Sequence, residues 1–512
     1  MKLDYQTYAE ASKNFRFSER WEVFEGNQEN FNITYECVDR HPKEKTAIRI
    51  KFDDGRKEVC TFAELSRLTS QFAHLLAKRG VNAGDPVALL LYPSLEFYVS
   101  FFGALKRGAV VVPCFPLFGP DAIEYRLTRS NAKMLVATVE KASIINQNLV
   151  SQVIIGEELL EILKDIEDAP YKTATSADSL AVIQFSSGTT GVPRAIPYKH
   201  VAATLTAVNV KFNIGLQSED NYFCPSSPAW GHGIWYGTVG PLIFGNAIGA
   251  YSGKFNPEIF LQALEEFEIT NVAATPLIFQ MVMNCGKLDN YRLKIRDMSY
   301  TGGPIDMSTL KYFQEKLGIA PRTMYGSTEV GGLLLEYPFP DWKPRPGSLG
   351  KPMIGVKVAV LDENDNELPP GKIGQIATWR GGKWIRVGDA VYTDEDGYFW
   401  YKGRTDDIII SAGYTIGPSE IEEVLEKHPA VKKAAIIGSP DQERGEIVKA
   451  FIIPEGIPGE ELKKEIQEFV KDRLSKHEYP REIEFVKELP ETPDGKIKRN
   501  ELKQYERAKK GV

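Results

Sequence analysis

The sequence predicts an α/β protein with a large N-terminal domain of mixed and parallel sheets flanked by helices, followed by a small α+β C-terminal domain. Three observations predict it. Short apolar runs alternate with segments of helical period between positions 61 and 112, the pattern of βαβ units around a parallel sheet. Glycine-rich stretches stand where several of these runs end, as ligand loops do at the carboxyl ends of strands. Beyond Pro344 the texture changes to short β runs with turn signals such as Pro369-Pro370-Gly371, and a compact alternation of strands and helices begins after 404–407. A chain of 512 residues also exceeds the roughly 250–300 at which one core stops growing.

Taken in order, Thr61 and Glu64 form a capping-box pattern that opens a helix. Its apolar positions Leu65, Leu68, Phe72, Leu75 and Leu76 share one face, and Gly80 closes it. A strand over 87–92, a helix over 96–107 and a strand over 110–112 follow. Residues 159–171 read as a surface helix and linker. The apolar run 181–185 reads as a buried strand.

That strand runs into Ser186-Ser187-Gly188-Thr189-Thr190-Gly191 and then Pro193-Arg194. Gly188 and Gly191 let backbone N–H groups converge on an anion without a Cβ in the way. The four hydroxyls add donors and Arg194 adds a permanent charge. A polyphosphate suits this stretch; the competing reading is a hydroxyl-rich hairpin turn. It is not a Walker A loop, whose glycine spacing and Gly-Lys ending are missing.

Residues 221–250 are rich in aromatics and glycine, and a helix over 257–267 and a strand near Val272 come next. Tyr300-Thr301-Gly302-Gly303-Pro304 and Met324-Tyr325-Gly326-Ser327-Thr328-Glu329 are each expected to follow a strand end. In the C-terminal part, Ser419 and Glu422 read as a second capping box. Strands are expected over 431–437, 448–453 and 483–486, with Leu462, Ile466, Phe469, Val470 and Leu474 on one helical face.

A net charge of −7 gives no electrostatic case for nucleic acid or an anionic membrane. The first residues lack the apolar core of a signal peptide, and no apolar run is long enough to span a bilayer. Five scattered cysteines without a C-x-x-C pattern are those of a reduced cytoplasmic protein, with neither zinc nor disulfides indicated.

Five ordered motifs resemble the adenylate-forming superfamily: the 186–191 stretch, Tyr325–Glu329, Gly388-Asp389, Gly403-Arg404-Thr405-Asp406-Asp407 and Pro493-Asp494-Gly495-Lys496. Within it, Ala412-Gly413-Tyr414 and Gly438-Ser439-Pro440-Asp441 are similar to the medium-chain acyl-CoA synthetase branch. The resemblance implies an AMP-forming acid–CoA ligase working through an acyl-adenylate, with ATP and coenzyme A as substrates and Mg²⁺ as cofactor. It implies domains at 1–405 and 406–512, the second mobile about a hinge at Asp406. It gives Lys496, Thr328 and Glu329 catalytic roles, with Glu329 the metal ligand.

By the same resemblance, ATP or AMP is bound by the 186–191 loop and Arg194, by Gly302, Gly303 and Pro304, and by Tyr325, Gly326, Ser327 and Thr328. Asp389 would hold the ribose hydroxyls, with Arg404 nearby. Gly413 and Tyr414 would line the CoA path. Trp230, Gly231, His232, Thr301, Gly326 and Gly331 would build the acyl pocket. In the similar acetyl-CoA synthetases a tryptophan matches Gly326, so glycine there leaves room for a larger acid. His232 is offered either as a hydrogen-bond donor to a polar substituent or as a structural residue. Two positions depart from the pattern, Arg194 for lysine and Thr415 for arginine. The alternative function is loading of a carrier-protein thiol.

Overall fold

In the computed structural model, residues 3–186, 193–327, 330–411, 414–441, 444–474, 478–492 and 497–511 are described. The chain divides into two compact units, Met1–Pro344 with Met353–Gly355, and Arg345–Pro352 with Val356–Val512.

The first unit holds two sheets. Its strands are β1 (Thr46–Phe52), β2 (Lys57–Thr61), β3 (Pro86–Leu90), β4 (Val110–Pro113), β5 (Met134–Ala137), β6 (Gln152–Ile155) and β7 (Leu180–Ser186). They continue with β8 (Arg194–Lys199), β9 (Tyr222–Phe223), β10 (Ile248–Ser252), β11 (Asn271–Ala274), β12 (Asp297–Tyr300), β13 (Arg322–Ser327) and β14 (Gly331–Leu335). One sheet runs β6-β5-β3-β4-β7-β8, parallel until β8 turns back on β7. In the other, β14-β13-β12-β11-β9-β10-β1-β2 are neighbours, with a parallel centre and an antiparallel pair at either end.

The parallel strands β4 and β5 are apolar and buried throughout, as strands covered on both faces are. The helix Phe62–Lys78 starts where expected: Thr61 accepts a hydrogen bond from the Glu64 N–H, a cap worth about 1 kcal/mol. Leu65, Phe72 and Leu76 on its inner face are fully buried. It packs on the helix Leu95–Arg107, which Gly108 ends at φ +82°, a left-handed conformation that favours glycine. The surface helix expected within 159–171 starts earlier, at Gly156, and ends at Lys164, where the linker follows. Leu159 and Leu163 anchor it by burial.

Two expectations fail on local geometry. Tyr325-Gly326-Ser327 does not follow a strand but lies inside β13, because β14 pairs with it antiparallel through Ser327 opposite Gly331. Ser419 does not cap a helix. The helix Pro418–Leu425 starts two residues before the expected 420, with Gly417 as its N-cap and Pro418 at its first position, where a missing N–H costs nothing. Glu422 instead accepts from the Ile436 N–H at 2.7 Å.

In the second unit, β15 (Lys351–Pro352) is followed by β16 (Val358–Leu361), β17 (Gly374–Arg380), β18 (Lys383–Thr393) and β19 (Phe399–Arg404). The last four form an antiparallel sheet in chain order. Then come β20 (Ile409–Ser411), β21 (Tyr414–Ile416), β22 (Val431–Asp441), β23 (Gly445–Pro454) and β24 (Glu482–Phe485), in a sheet ordered β21-β20-β23-β22 with β24 along β23. Ile421, Leu425, Ile436, Ile452, Ile466 and Val470 make the core beneath it. This unit begins well before 405, and the helix Pro418–Leu425 packs on β19 within it.

Candidate active site

The parallel order β9, β11, β12 and β13 in one sheet sends four consecutive strands out at the same edge. Open α/β sheets bind ligands at that edge. Beyond β9 comes the segment carrying Trp230, Gly231 and His232; beyond β12 come Thr301, Gly302, Gly303 and Pro304; at the end of β13 stand Tyr325, Gly326 and Ser327. Gly302, Gly303 and Pro304 are exposed, and Gly302 has φ +99°, which lets the chain turn away from β12. Ser327 Oγ is buried with no hydrogen-bond partner among the described residues. Thr328 and Glu329, which follow Ser327 in sequence, lie outside them.

The hydroxyl–glycine stretch closes the β7–β8 hairpin, with Ser186 paired to Arg194. Ser187, Gly188, Thr189, Thr190 and Gly191 lie outside the described residues. Arg194 is exposed, and the Tyr125 hydroxyl donates to the Pro193 carbonyl at 2.9 Å, tying down the far end.

The wall beyond β9 is ordered by its own contacts. Trp230 stacks on Phe115, with centroids 5.4 Å apart and rings inclined by 26°. His232 Nδ1 lies 2.9 Å from Ser226 Oγ, and burial lowers the imidazole to about pKa 4, so the ring is neutral near pH 7. The Ser226 contact engages Nδ1, one of the two ring nitrogens. The Tyr236 hydroxyl accepts from the Gly332 N–H at 3.2 Å and from Asn209 Nδ2 at 3.3 Å, bracing the first residues of β14.

Gly326 also meets a backbone constraint that its sequence position does not show. A Cβ there would sit 2.1 Å from the Gly331 carbonyl oxygen and 2.8 Å from Gly332 Cα. The space beside it is filled by β14, at a register shift between Tyr325 and Gly326. Close approach of two backbones demands the glycine. Gly331, at φ +72°, completes the tight end of the hairpin.

The second unit carries the remaining described candidates. Asp389 on β18 and Arg404 on β19 are directly paired, and Arg404 Nη1 donates to Asp389 Oδ1 at 3.1 Å. Burial alone would lower the Arg404 pKa, but the Asp389 and Asp406 carboxylates outweigh it and hold it raised. Asp406 is exposed, and its carbonyl accepts from Lys503 Nζ at 2.6 Å. Lys503 also pairs with Asp407 at 2.7 Å, and Arg499 reaches Asp407 at 3.8 Å. Gly413 and Lys496 lie outside the described residues; Tyr414 opens β21, opposite Ser411.

The motifs missed Gln184, Tyr125, Tyr236 and Phe115. Gln184, a lone amide within an apolar strand, offered the one visible signal. No cluster of three or more metal-ligating side chains occurs among the described residues, and no described helix is long and apolar enough to cross a membrane.

Two family descriptions match: AMP-binding enzyme over residues 35–382, and AMP-binding enzyme C-terminal domain over 420–496. The chain is 34% identical to an acetyl-coenzyme A synthetase of Bacillus subtilis, over 93% of this chain and 90% of that one. It is also 34% identical to the mitochondrial acyl-coenzyme A synthetase ACSM3 of Rattus norvegicus, over 93% and 91%. Among solved structures, the anthranilate CoA ligase AuaEII in complex with anthranoyl-AMP superposes with a TM-score of 0.84 at 27% identity, over 94% of this chain and 98% of that one. By these matches over nearly its whole length, and by the strand edge that gathers its motifs, the chain belongs to the AMP-binding enzymes and is an AMP-forming acyl-CoA synthetase, a family that uses ATP and coenzyme A.

Proposed function

We propose that the enzyme activates a carboxylic acid larger than acetate: a short- or medium-chain fatty acid, a hydroxy acid such as 4-hydroxybutyrate, or a small aryl acid. The observation that carries this is that glycine, not tryptophan, stands at 326. The group that closes the pocket in the similar acetyl-CoA synthetases is therefore lacking. The relative named for acetate makes acetate the necessary control acid.

The acid attacks the α-phosphate of ATP, giving acyl-AMP and pyrophosphate; the CoA thiol then displaces AMP. The first step brings a carboxylate onto a polyanion. Two unit charges about 4 Å apart interact by roughly 4 kcal/mol at an effective dielectric near 20, so placed cations are needed. The 186–191 loop with Arg194, together with Thr328, holds the phosphates. Tyr325 lies along adenine beside Gly302, Gly303 and Pro304, while Asp389, held by Arg404, takes the ribose. Lys496 bridges the carboxylate and α-phosphate oxygens as charge moves between them.

Glu329 would hold Mg²⁺; two residues before it in sequence, the buried Ser327 hydroxyl, without a partner among the described residues, is an oxygen donor of the kind a hard cation or a phosphate takes. The ion supplies charge neutralisation on the triphosphate. Residues 406–512 swing about Asp406 between the two steps, bringing Gly413 and Tyr414 to the pantetheine path. The setting is the cytoplasm. CoA-dependent AMP release across acetate, hexanoate, 4-hydroxybutyrate and benzoate tests the reading. A preference for acetate over all the others would overturn the proposed substrate class, and acid-dependent release without CoA dependence would favour a carrier thiol.

A further inference from the structure

Gln184 is 2% exposed and is an amide in an otherwise apolar strand, two residues before Ser186. Its Oε1 accepts from the Trp235 indole N–H at 3.1 Å, and its Nε2 donates to the Ala229 carbonyl at 3.4 Å. Indole can only donate, so the orientation of the amide is set by chemistry. A Cβ on Gly231 would stand 3.7 Å from the same Oε1. All these partners belong to the segment that presents Trp230 and His232, whereas Gln184 belongs to β7, in the other sheet.

We propose that Gln184 is a positioning residue for the acid. It fixes the Trp230–His232 wall against the strand that launches the phosphate loop, so that the acid's carboxylate and the α-phosphate meet in register. A purely packing role would be filled by an apolar side chain, as at the neighbouring Ile183 and Phe185. An amide engaged at both ends instead fixes distance and direction between two elements. The inference rests on the ligase reading above.

The test is acid-dependent ATP–pyrophosphate exchange by the full-length enzyme, with acid and ATP varied separately over the same acid panel. Gln184→Met keeps length and volume but removes both hydrogen bonds. We expect the KM for the acid to rise about tenfold, the effect of leaving one buried donor unpaired. The KM for ATP and kcat at saturating acid should stay within about twofold of wild type. Trp235→Phe, which removes only the indole bond, should reproduce most of the effect, and Gln184→Met on top of Trp235→Phe should add only what the longer Ala229 bond carries, less than it does in wild type.

Equal rises in both KM values, effects that multiply in the double variant, or no change in acid KM would each overturn the proposal. Active wild type with an unmoved variant sinks this inference alone. A wild type without acid-dependent exchange on any acid sinks the ligase reading together with it.

Discussion

Arg404 holds Asp389 across one rung of the β18–β19 ladder, guanidinium Nη1 to carboxylate Oδ1 at 3.1 Å. The same guanidinium reaches Asp406 at 3.4 Å through Nε. One planar cation thus orients the carboxylate proposed for the ribose and contacts the residue proposed as the hinge. Charge-assisted contacts are worth roughly 1.5–3 kcal/mol each, so Asp389→Ala should raise the KM for ATP by tenfold or more. Arg404→Lys, which loses the fork, should raise it less. ATP–pyrophosphate exchange at saturating acid measures both. An unchanged KM in Asp389→Ala would remove Asp389 from the nucleotide site.

Lys496→Ala should separate the half-reactions. Adenylate formation should fall by on the order of 10²–10³, the loss typical of a positioned transition-state donor. Thioester formation from supplied acyl-AMP and CoA should stay within several-fold of wild type. Single-turnover assays of each step decide it, and equal loss in both would refute the role.

Gly326→Ala should damage folding before it alters selectivity. The added methyl meets the Gly331 carbonyl at 2.1 Å, a backbone contact that no rotamer relieves. Overpacking of this kind costs about 1–3 kcal/mol. The melting temperature should drop, and activity should fall on acetate and hexanoate alike. Were glycine there only to make room, the variant would melt like wild type and lose the longer acids selectively.

Glu422 should make stability depend on pH. Burial pushes its carboxyl up to about 7 from the usual 4.5, against the pull of Arg499 and the Ile436 N–H. The folded state therefore keeps a proton that the unfolded chain has lost, and stability falls as pH rises from about 4.5 to about 7. Glu422→Gln should flatten this part of the profile, by on the order of 1–3 kcal/mol across the window. Melting at pH 5 and pH 7.5 for both proteins checks it; parallel losses in the two would count against the assignment.

Much of the scaffold was legible because its signals are local. Thr61 before an apolar helical stripe, Gly108 after one, and unbroken apolar strands such as 87–90 each carry their reason within a few residues. Misreadings arose where pairing with another element decides. The strand 331–335 begins only four residues after Ser327, yet its pairing back on β13, which draws Tyr325–Ser327 into a strand, is set by the register of the two strands. Nothing near 419 shows that Glu422 will be taken up by Ile436 and Arg499, leaving Pro418 to start the helix.

The sequence by itself determined the chemistry on offer: a hydroxyl–glycine loop, an ordered set of motifs and the family they belong to, because residue type and spacing carry those directly. Only the tertiary structure decided that β9, β12 and β13 bring their ends to one edge, that β7 and β8 pair on either side of the loop, and that Gly326 serves a backbone contact. It also brought the Gln184 amide between two sheets. Strand order, register and buried hydrogen bonds are set by which surfaces pack together, and such pairings join residues far apart along the chain.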